Sequence, residues 1–366
     1  MQEFVDDPDF DFKLVATGNH FSETWGRTVA EIERDGFTID AAIAVELDTS
    51  SSASIAASVG EMTREFAAAF AIMQPDMVVV MGDRYELLAI ASACVPMTIP
   101  ISHISGGEIT EGAIDDQIRH AMTKMAHLHF VANDVYANRV RQLGEEDWRI
   151  CVCGEPGLDN VTRLDLLSAA ELGRDLGLDL ARPTALVTFH PVTLEAESLE
   201  DQIQEVTAAL ICENLQYVIT YPNADVGSTD IISRLEEFAA QCKDRVVLIK
   251  SLGQVRYLSA LCHLSMMIGN SSSALYEGAA FNIPAVNIGN RQQGRMRARN
   301  VIDVRCAADD IVDGIRRARA YDRSAPLKNP YGDGESSPRV RQFIADAFAK
   351  HGVKGLMKKK FVDHMS

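Results

Sequence analysis

Short apolar runs alternate with amphipathic stretches along most of the chain. Residues 77–81 are continuously apolar and residues 99–104 are mostly so. Both runs are too short for helices, which is typical of strands buried in a parallel sheet. A helical stretch at 86–93 lies between them, so the three segments form a βαβ unit. Upstream, residues 10–17 and 39–45 also have the composition of short strands.

The same alternation begins again at Pro183. Further strands are predicted, with helical stretches between them, at 184–189, 217–221, 245–249, 264–269 and 284–288. Alternating strands and helices predict an α/β protein with two doubly wound, Rossmann-like domains. We expect an N-terminal domain over 1–163 and a C-terminal domain over 164–335. Residues 336–366 then form a C-terminal helix that crosses back onto the first domain.

Ionisable residues gather where the strands of the central βαβ unit end. Seven of them fall within 38 positions: Asp83, Arg84, His103, Glu108, Asp115, Asp116 and His120. In open α/β sheets, ligands bind outside the carboxyl ends of the strands. One Asp there is often only a helix cap, and Gly106-Gly107 alone is often only a turn. The density of charge favours a functional site.

A second candidate site lies in the C-terminal domain. Residues 269–277 form a strand end, a small polar turn and a helix start, which offer N–H groups and hydroxyls to a phosphate. A serine-capped helix would leave the same pattern. Arg291, at the next strand end, favours the phosphate reading because a guanidinium can neutralise a diphosphate. His190 is also the first polar group after its strand.

Composition narrows the class of protein. The chain has 366 residues, 47 % hydrophobic, and a net charge of −17, which argues against a nucleic-acid or anionic-membrane partner. Seven cysteines show no metal-ligand spacing, and no apolar run is long enough to span a membrane. The acidic N-terminus is unlike a signal peptide, so we expect a cytoplasmic protein.

Two basic groups are interpreted as solvated. Arg295, Arg297 and Arg299 follow the last predicted strand closely and suit an exposed loop. Lys358, Lys359 and Lys360 suit an exposed chain end.

Five motifs carry a resemblance to a known family. They are Asp83-Arg84-Tyr85-Glu86, His103-Ile104-Ser105-Gly106-Gly107-Glu108, the segment from Gly112 to His120, Gly269-Asn270-Ser271-Ser272-Ser273, and the segment from Asn287 to Gln292. These motifs resemble the hydrolysing UDP-N-acetylglucosamine 2-epimerases, which include enzymes of bacterial sialic-acid and legionaminic-acid biosynthesis. The resemblance extends from Leu14 to about Arg341. The two-domain plan is similar to the GT-B architecture, in which two such domains face a cleft.

The resemblance implies a two-stage reaction on a UDP-sugar. UDP is eliminated across C1–C2 to give a 2-acetamidoglucal, and water then adds to give the free manno sugar. The substrate would be UDP-N-acetylglucosamine or a UDP-2,4-diacetamido-6-deoxy sugar. No metal and no cofactor is implied, and relatives commonly form dimers or tetramers.

The resemblance also assigns residues by role. The acid/base group would be Asp83, Glu108 and Asp115, without a choice of which takes the C2 proton. The sugar pocket would contain His20, Arg84, His103 and His120. UDP would be held by His190, Asn270, Ser271, Ser272, Glu277 and Arg291, with Glu277 on the ribose hydroxyls.

The chain departs from the family pattern in three places. Relatives begin with a strand, a Gly-Thr-Arg-Ala-Asp-Tyr loop and a helix, all before the position of Asp9, so we expect one strand and one arginine fewer. Ser105 stands where many relatives have an acidic or imidazole side chain. Asn19 precedes His20 where threonine is commoner.

Three other functions compete with hydrolytic epimerisation. A non-hydrolysing 2-epimerase is disfavoured, because Gly-Gly-Glu after His103 replaces the Glu-Ala-Gly-Leu-Arg of that group. A GT-B glycosyltransferase is disfavoured by the acidic cluster. A UDP-sugar-binding protein without turnover would result if the absent first strand is essential.

Overall fold

The computed structural model describes residues 1–23, 26–110, 113–192, 198–223, 225 and 227–363. By their contacts, the residues divide into two compact units. The first consists of Met1–Glu108, Ile114–Asp159 and Tyr331–Ser366, and the second of Ile109–Ala113 and Asn160–Pro330. The domain boundaries expected at 163/164 and 335/336 stay predictions, a few residues from these divisions.

The strands of the first unit are parallel and form two sheets. One sheet pairs β1 (Val15–Thr17) with β2 (Ala41–Ile43). The other has the order β3-β4-β5-β6. Its strands are Val78–Met81, Ile101–Ile104, Leu128–Val131 and Ile150–Val152. Among the described residues, β3 and β6 are the outer strands of this sheet.

The first unit also contains helices, most of which lie between consecutive strands. They are α1 (Gln2–Val5), α2 (Val29–Arg34), α3 (Ser52–Met73), α4 (Tyr85–Cys94), α5 (Asp115–Met125), α6 (Asp134–Gln142) and α14 (Ser336–Leu356). The long helix α3 buries Met62, Phe66 and Phe70, which recur at the four-residue spacing of one helical face. Ser51 caps α3 by accepting a hydrogen bond from Ser54 N–H.

The second unit contains one six-stranded parallel sheet, ordered β12-β11-β10-β7-β8-β9. In chain order its strands β7 to β12 are Thr184–Thr188, Gln216–Thr220, Val246–Ile249, Met266–Gly269, Ala285–Ile288 and Val301–Val304. Its helices are α8 (Ala169–Leu176), α9 (Leu199–Cys212), α10 (Ser228–Gln241), α11 (Gly253–His263), α12 (Glu277–Ala280) and α13 (Ala308–Arg319), and α7 (Asp159–Arg163) lies at the unit boundary. The α/β fold class is thereby confirmed, with each unit built on parallel strands.

The first predicted strand is shorter than expected. Residues 10–17 alternate as a strand would, but only Val15–Thr17 pair in a sheet. Phe10 and Phe12 instead contact Phe4, with ring centroids 5.0 and 6.4 Å apart. The alternation of apolar residues here therefore reflects aromatic packing against the N-terminal helix.

The prediction of a solvated end is wrong for Lys359. Its ammonium group lies 2.8 Å from a Glu145 carboxylate oxygen and donates to Ala126 O at 2.6 Å. The buried Glu145 carboxylate also accepts from Lys124 Nζ (2.6 Å) and His129 Nε2 (2.9 Å). A buried carboxylate needs such donors, because an unpaired charge away from water is costly. These contacts hold the chain end against β5.

Arg149 also contacts the C-terminal end of the chain, through hydrogen bonds to its backbone carbonyls. The guanidinium is fully buried and donates to His127 O, Leu356 O and Lys358 O at 2.9–3.1 Å. Its Nε also donates to Glu146 at 2.7 Å. Three carbonyls would be left buried without this donor if the side chain were removed.

We predict that Arg149→Met lowers the free energy of unfolding by about 3 kcal/mol, because buried acceptors lose their donor. Urea denaturation measures the change. The matched control is Arg234→Met, since Arg234 pairs with Glu200 and Glu237 on the exposed surface of α10. That variant should lose no more than about 1 kcal/mol. Equal losses in the two variants would show that Arg149 does not anchor the chain end.

Burial lowers the pKa of two histidines, His127 and His103. His127 Nδ1 accepts a hydrogen bond from Ile101 N–H at 3.1 Å, so this nitrogen carries no proton. Burial, and then the charges of Lys359 and Arg149, lower the pKa of His127 to about 4. Burial likewise lowers the pKa of His103 to about 4. Both side chains are neutral in the folded protein at pH 7.

Stability should therefore fall as the pH falls from 6.5 to 4. In this window the unfolded chain binds protons that the folded chain does not, so each histidine costs up to about 3 kcal/mol, and below pH 4 the loss levels off. Urea denaturation across this range measures the slope. His127→Asn should give a shallower slope than the parent protein. The same slope in both would exclude His127 as a source of the acid sensitivity.

Candidate functional site

Two ion pairs join the loop after β3 to the start of α5. Asp83 pairs with Arg119, whose side chain is only 2 % exposed. Arg84, the residue that precedes α4, places Nη1 3.6 Å from Asp115 Oδ1. The structure thus brings Asp83, Arg84 and Asp115 together, as the strand-end pattern predicts. The arginines also lower the cost of keeping these carboxylates ionised away from water.

His103 supports the loop that carries Asp83. Its ring is fully buried in β4, and Nε2 lies 2.8 Å from Gly82 O. A carbonyl can only accept, so the hydrogen is assigned to Nε2. Nδ1 faces the Thr123 hydroxyl at 3.4 Å. As placed, His103 binds protein backbone, and its role in a sugar pocket stays a prediction.

Glu108 is also buried, at 1 % exposure, after the Gly-Gly turn that follows β4. The turn needs glycine: Gly107 has φ +75°, and a Cβ there would lie 2.4 Å from Tyr136 O. The neighbouring Ser105 hydroxyl donates to Glu155 at 3.0 Å. Ser105, which departs from the family pattern, therefore makes a hydrogen bond within the first unit. The catalytic role of Glu108 stays a prediction.

The two remaining histidines of the predicted sugar pocket have local contacts. His120 Nε2 lies 3.7 Å from Asp116 on the same helix, and burial is the main cause of its lowered pKa. His20 is exposed on the short 3₁₀ helix after β1, with Nδ1 2.8 Å from the Thr28 hydroxyl. Their contact with a sugar stays a prediction.

In the second unit, Asn270 follows β10 and forms hydrogen bonds with residues that follow β7 and β11. Its side chain is fully buried. The Oδ1 atom accepts a hydrogen bond from His190 N–H at 2.7 Å, and Nδ2 donates to His190 O at 2.9 Å. Its carbonyl accepts from Arg291 Nη1 at 3.2 Å and Gln292 Nε2 at 2.8 Å. The predicted UDP-binding residues His190, Asn270 and Arg291 are thereby one connected group.

The imidazole of His190 has a defined tautomer. Asn223 N–H donates to Nδ1 at 3.0 Å. A backbone N–H can only donate, so in the neutral ring the hydrogen lies on Nε2. His190 Nε2 can therefore act as a donor to an anionic oxygen.

The serine turn is held close to the sheet. Gly269 has φ +137°, and a Cβ there would lie 1.9 Å from Thr188 O, so only glycine fits. Ser271 Oγ accepts from Ser273 N–H and begins the 3₁₀ helix Ser272–Ala274. Small residues thus let β10 lie against β7 while the turn presents backbone N–H groups and hydroxyls.

Glu277 follows this turn and is partly buried. Burial raises the pKa of its carboxyl group. Nearby, Tyr257 donates to the Ser273 hydroxyl at 2.7 Å. A carboxyl at this position could hydrogen-bond sugar hydroxyls, and its role with the ribose stays a prediction.

Sequence reasoning missed several contacts. Arg119 and Gln292 stand inside the quoted motifs, but only the structure shows that they bind Asp83 and the Asn270 carbonyl. Nothing in the local sequence singles out Asn223. The exposed-loop interpretation is wrong for Arg295, which is 9 % exposed and hydrogen-bonded at all three guanidinium nitrogens.

The described residues contain neither a metal-ligating cluster nor a membrane-spanning helix. Among them, no group of three or more His, Cys, Asp or Glu is arranged to hold a metal ion. In the same ranges, no helix is both long and apolar enough to cross a bilayer.

The acidic cluster of the first unit and the hydrogen-bond donors of the second unit suit different chemical roles. In the first unit, carboxylates held by arginines can accept and return protons. In the second unit, a guanidinium, an imidazole N–H and a turn rich in N–H groups can neutralise phosphate oxygens.

Comparison with known proteins identifies the family of the chain. A sequence profile described as UDP-N-acetylglucosamine 2-epimerase matches residues 2–345. A GDP/UDP-N,N'-diacetylbacillosamine 2-epimerase (hydrolyzing) of Campylobacter jejuni is 38 % identical, over 82 % of this chain and 78 % of that protein. A UDP-N,N'-diacetylbacillosamine 2-epimerase (hydrolyzing) of Legionella pneumophila is 35 % identical, over 92 % and 88 %.

Solved structures of proteins with the same family name have a similar fold. The crystal structure of UDP-GlcNAc 2-epimerase from Neisseria meningitidis bound to UDP-GlcNAc superposes with a TM-score of 0.79 at 15 % identity, covering 94 % of each chain. This likeness shows a shared GT-B-like fold. Together with the sequence matches, it establishes that the chain belongs to the UDP-N-acetylglucosamine 2-epimerase family.

Proposed function

We propose that the protein is a hydrolysing 2-epimerase that converts a UDP-linked 2-acetamido sugar to UDP and the free manno sugar. The observation that carries the proposal is the pairing of Asp83 with the buried Arg119, next to Asp115 with Arg84. The arginines favour the ionised form of these carboxylates and fix them in place, as removal of a poorly acidic hydrogen requires.

The relatives favour one substrate class. The proteins from Campylobacter and Legionella are named as hydrolysing enzymes of diacetylbacillosamine, at 38 % and 35 % identity. A UDP-N-acetylglucosamine 2-epimerase of Neisseria meningitidis is 30 % identical. We therefore place a UDP-2,4-diacetamido-6-deoxy sugar first and UDP-N-acetylglucosamine second. Within this proposal the protein is a cytoplasmic homo-oligomer of legionaminic- or sialic-acid biosynthesis.

The first stage removes a proton and UDP. A carboxylate among Asp83, Glu108 and Asp115 takes the C2 proton, and the C2–H electron pair forms the C1=C2 double bond. The C1–O bond breaks at the same time, and its electrons leave with UDP. The second stage adds water: hydroxide bonds to C1, and a proton returns to C2 from the opposite face.

The second unit would stabilise the leaving group. Negative charge grows on the β-phosphate as the C1–O bond breaks. His190 Nε2–H and the Arg291 guanidinium are the donors suited to that charge, and Asn270 fixes both relative to the serine turn. Ser271 and Ser272 would hold the diphosphate and Glu277 the ribose. No step requires a metal or a cofactor.

Incubation with each UDP-sugar, followed by chromatography and mass spectrometry of the products, tests the proposal. Free manno sugar and UDP in equal amounts are expected, with faster turnover of the diacetamido substrate. A UDP-linked product would instead identify a non-hydrolysing epimerase. Binding of UDP without turnover of either sugar would identify a UDP-sugar-binding protein.

We predict that Asp83→Asn lowers kcat by at least about 100-fold, because the neutral amide can neither take a proton nor pair with Arg119. UDP affinity should change little, since the predicted UDP-binding residues lie in the second unit. The control is Asp76→Asn, an exposed aspartate just before β3. Full activity of Asp83→Asn would remove Asp83 from the acid/base group.

A further inference from the structure

A short segment between two of the predicted catalytic carboxylates belongs to the second unit. By contacts, Ile109–Ala113 groups with the second unit, while Glu108 before it and Ile114–Asp159 after it group with the first. The structure describes Ile109, Thr110 and Ala113 of this segment. The position of the chain here bears on Glu108 and Asp115 because both are covalently close to it.

Arg295 holds this segment with two hydrogen bonds. Its Nε donates to Ile109 O at 3.0 Å, and its Nη2 donates to the Thr110 hydroxyl at 2.8 Å. Thr110 is only 1 % exposed, so the second bond is shielded from water. A planar guanidinium binds both acceptors in one fixed orientation, which the single ammonium of a lysine cannot do.

The other side of the guanidinium is fixed to the predicted UDP-binding turn. Arg295 Nη1 donates to the Tyr276 hydroxyl at 3.0 Å, and the guanidinium carbon lies 5.9 Å from the centre of that ring. Tyr276 immediately precedes Glu277, and its carbonyl accepts from Asn329 at 2.9 Å. Arg295 therefore links the segment after Glu108 to the element that carries Glu277.

We propose that Arg295 is a positioning residue: by holding Ile109 and Thr110 against Tyr276, it sets the placement of the chain between Glu108 and Asp115. The inference rests on the proposed function of those carboxylates. Arg295 does not itself exchange a proton. Its loss acts through the backbone, since a displacement of about 1 Å can cost about 100-fold in rate.

The test compares Arg295→Met with Arg299→Met. Arg299 has similar partners on the exposed surface: its guanidinium also donates to backbone carbonyls, of Asp322 and Ala325, and lies 4.8 Å from the Tyr321 ring centre. Arg295→Met should lower kcat by about 10- to 100-fold. Its Kd for UDP should stay near that of the parent protein. Its Tm should fall further than that of Arg299→Met, because the acceptors of the buried Arg295 lose their donor, so kcat is measured well below the Tm of both variants. Unchanged kcat in Arg295→Met would overturn the proposal.

A double-mutant cycle separates positioning from general damage. Thr110→Val keeps the shape of the side chain but removes the oxygen that accepts from Arg295. If the two residues act through their bond, Thr110→Val lowers kcat, and adding it to Arg295→Met causes little further loss. Fully additive losses in the double variant would contradict a shared role.

Amide hydrogen exchange gives a readout independent of activity. Arg295→Met should raise deuterium uptake in the peptide that spans residues 108–115, whereas Arg299→Met should not. If the parent protein turns over neither sugar, the proposed function fails while this measurement still decides whether Arg295 holds the segment. Unchanged uptake would overturn the positioning role in either case.

Discussion

An ionised carboxylate can be buried in a protein only if donors are buried with it. The acidic cluster of the first unit meets this requirement with arginines from the loop after β3 and from α5: Arg119 for Asp83 and Arg84 for Asp115. His103 adds a hydrogen bond to the loop carbonyl of Gly82. The arginines confine the carboxylates and favour their ionised form, which suits proton transfer at a fixed position.

The second unit gathers hydrogen-bond donors rather than acids, as the proposed diphosphate site requires. Asn270 does so by bonding both backbone groups of His190 with its side chain and the side chains of Arg291 and Gln292 with its carbonyl. Gly269 makes this possible, because any side chain there would collide with Thr188. The donors are thus placed by backbone and buried side chains before any ligand binds.

The sequence predicts the parts of the site that depend on local pattern. Apolar runs followed by polar residues located the strand ends, and hence Asp83, Glu108, His190 and Asn270. Contacts between residues distant in the chain could not be predicted this way: Arg119 with Asp83, Asn223 with His190, and Arg295 with Ile109. Burial of Lys359 was missed for the same reason, because its partner Glu145 lies more than two hundred residues away. The strand predicted at 10–17 was too long, because aromatic packing and sheet pairing produce the same alternation of apolar residues.

The central claim is that carboxylates of the first unit remove and return the hydrogen at C2 of a UDP-sugar. Turnover in deuterated water, followed by proton NMR, tests it most directly. Release of UDP and of a free manno sugar that carries deuterium at C2 is expected, since the proton taken in elimination exchanges with solvent before another is returned. A free sugar of unchanged configuration that retains its C2 hydrogen would contradict the account, because simple hydrolysis at C1 would explain it.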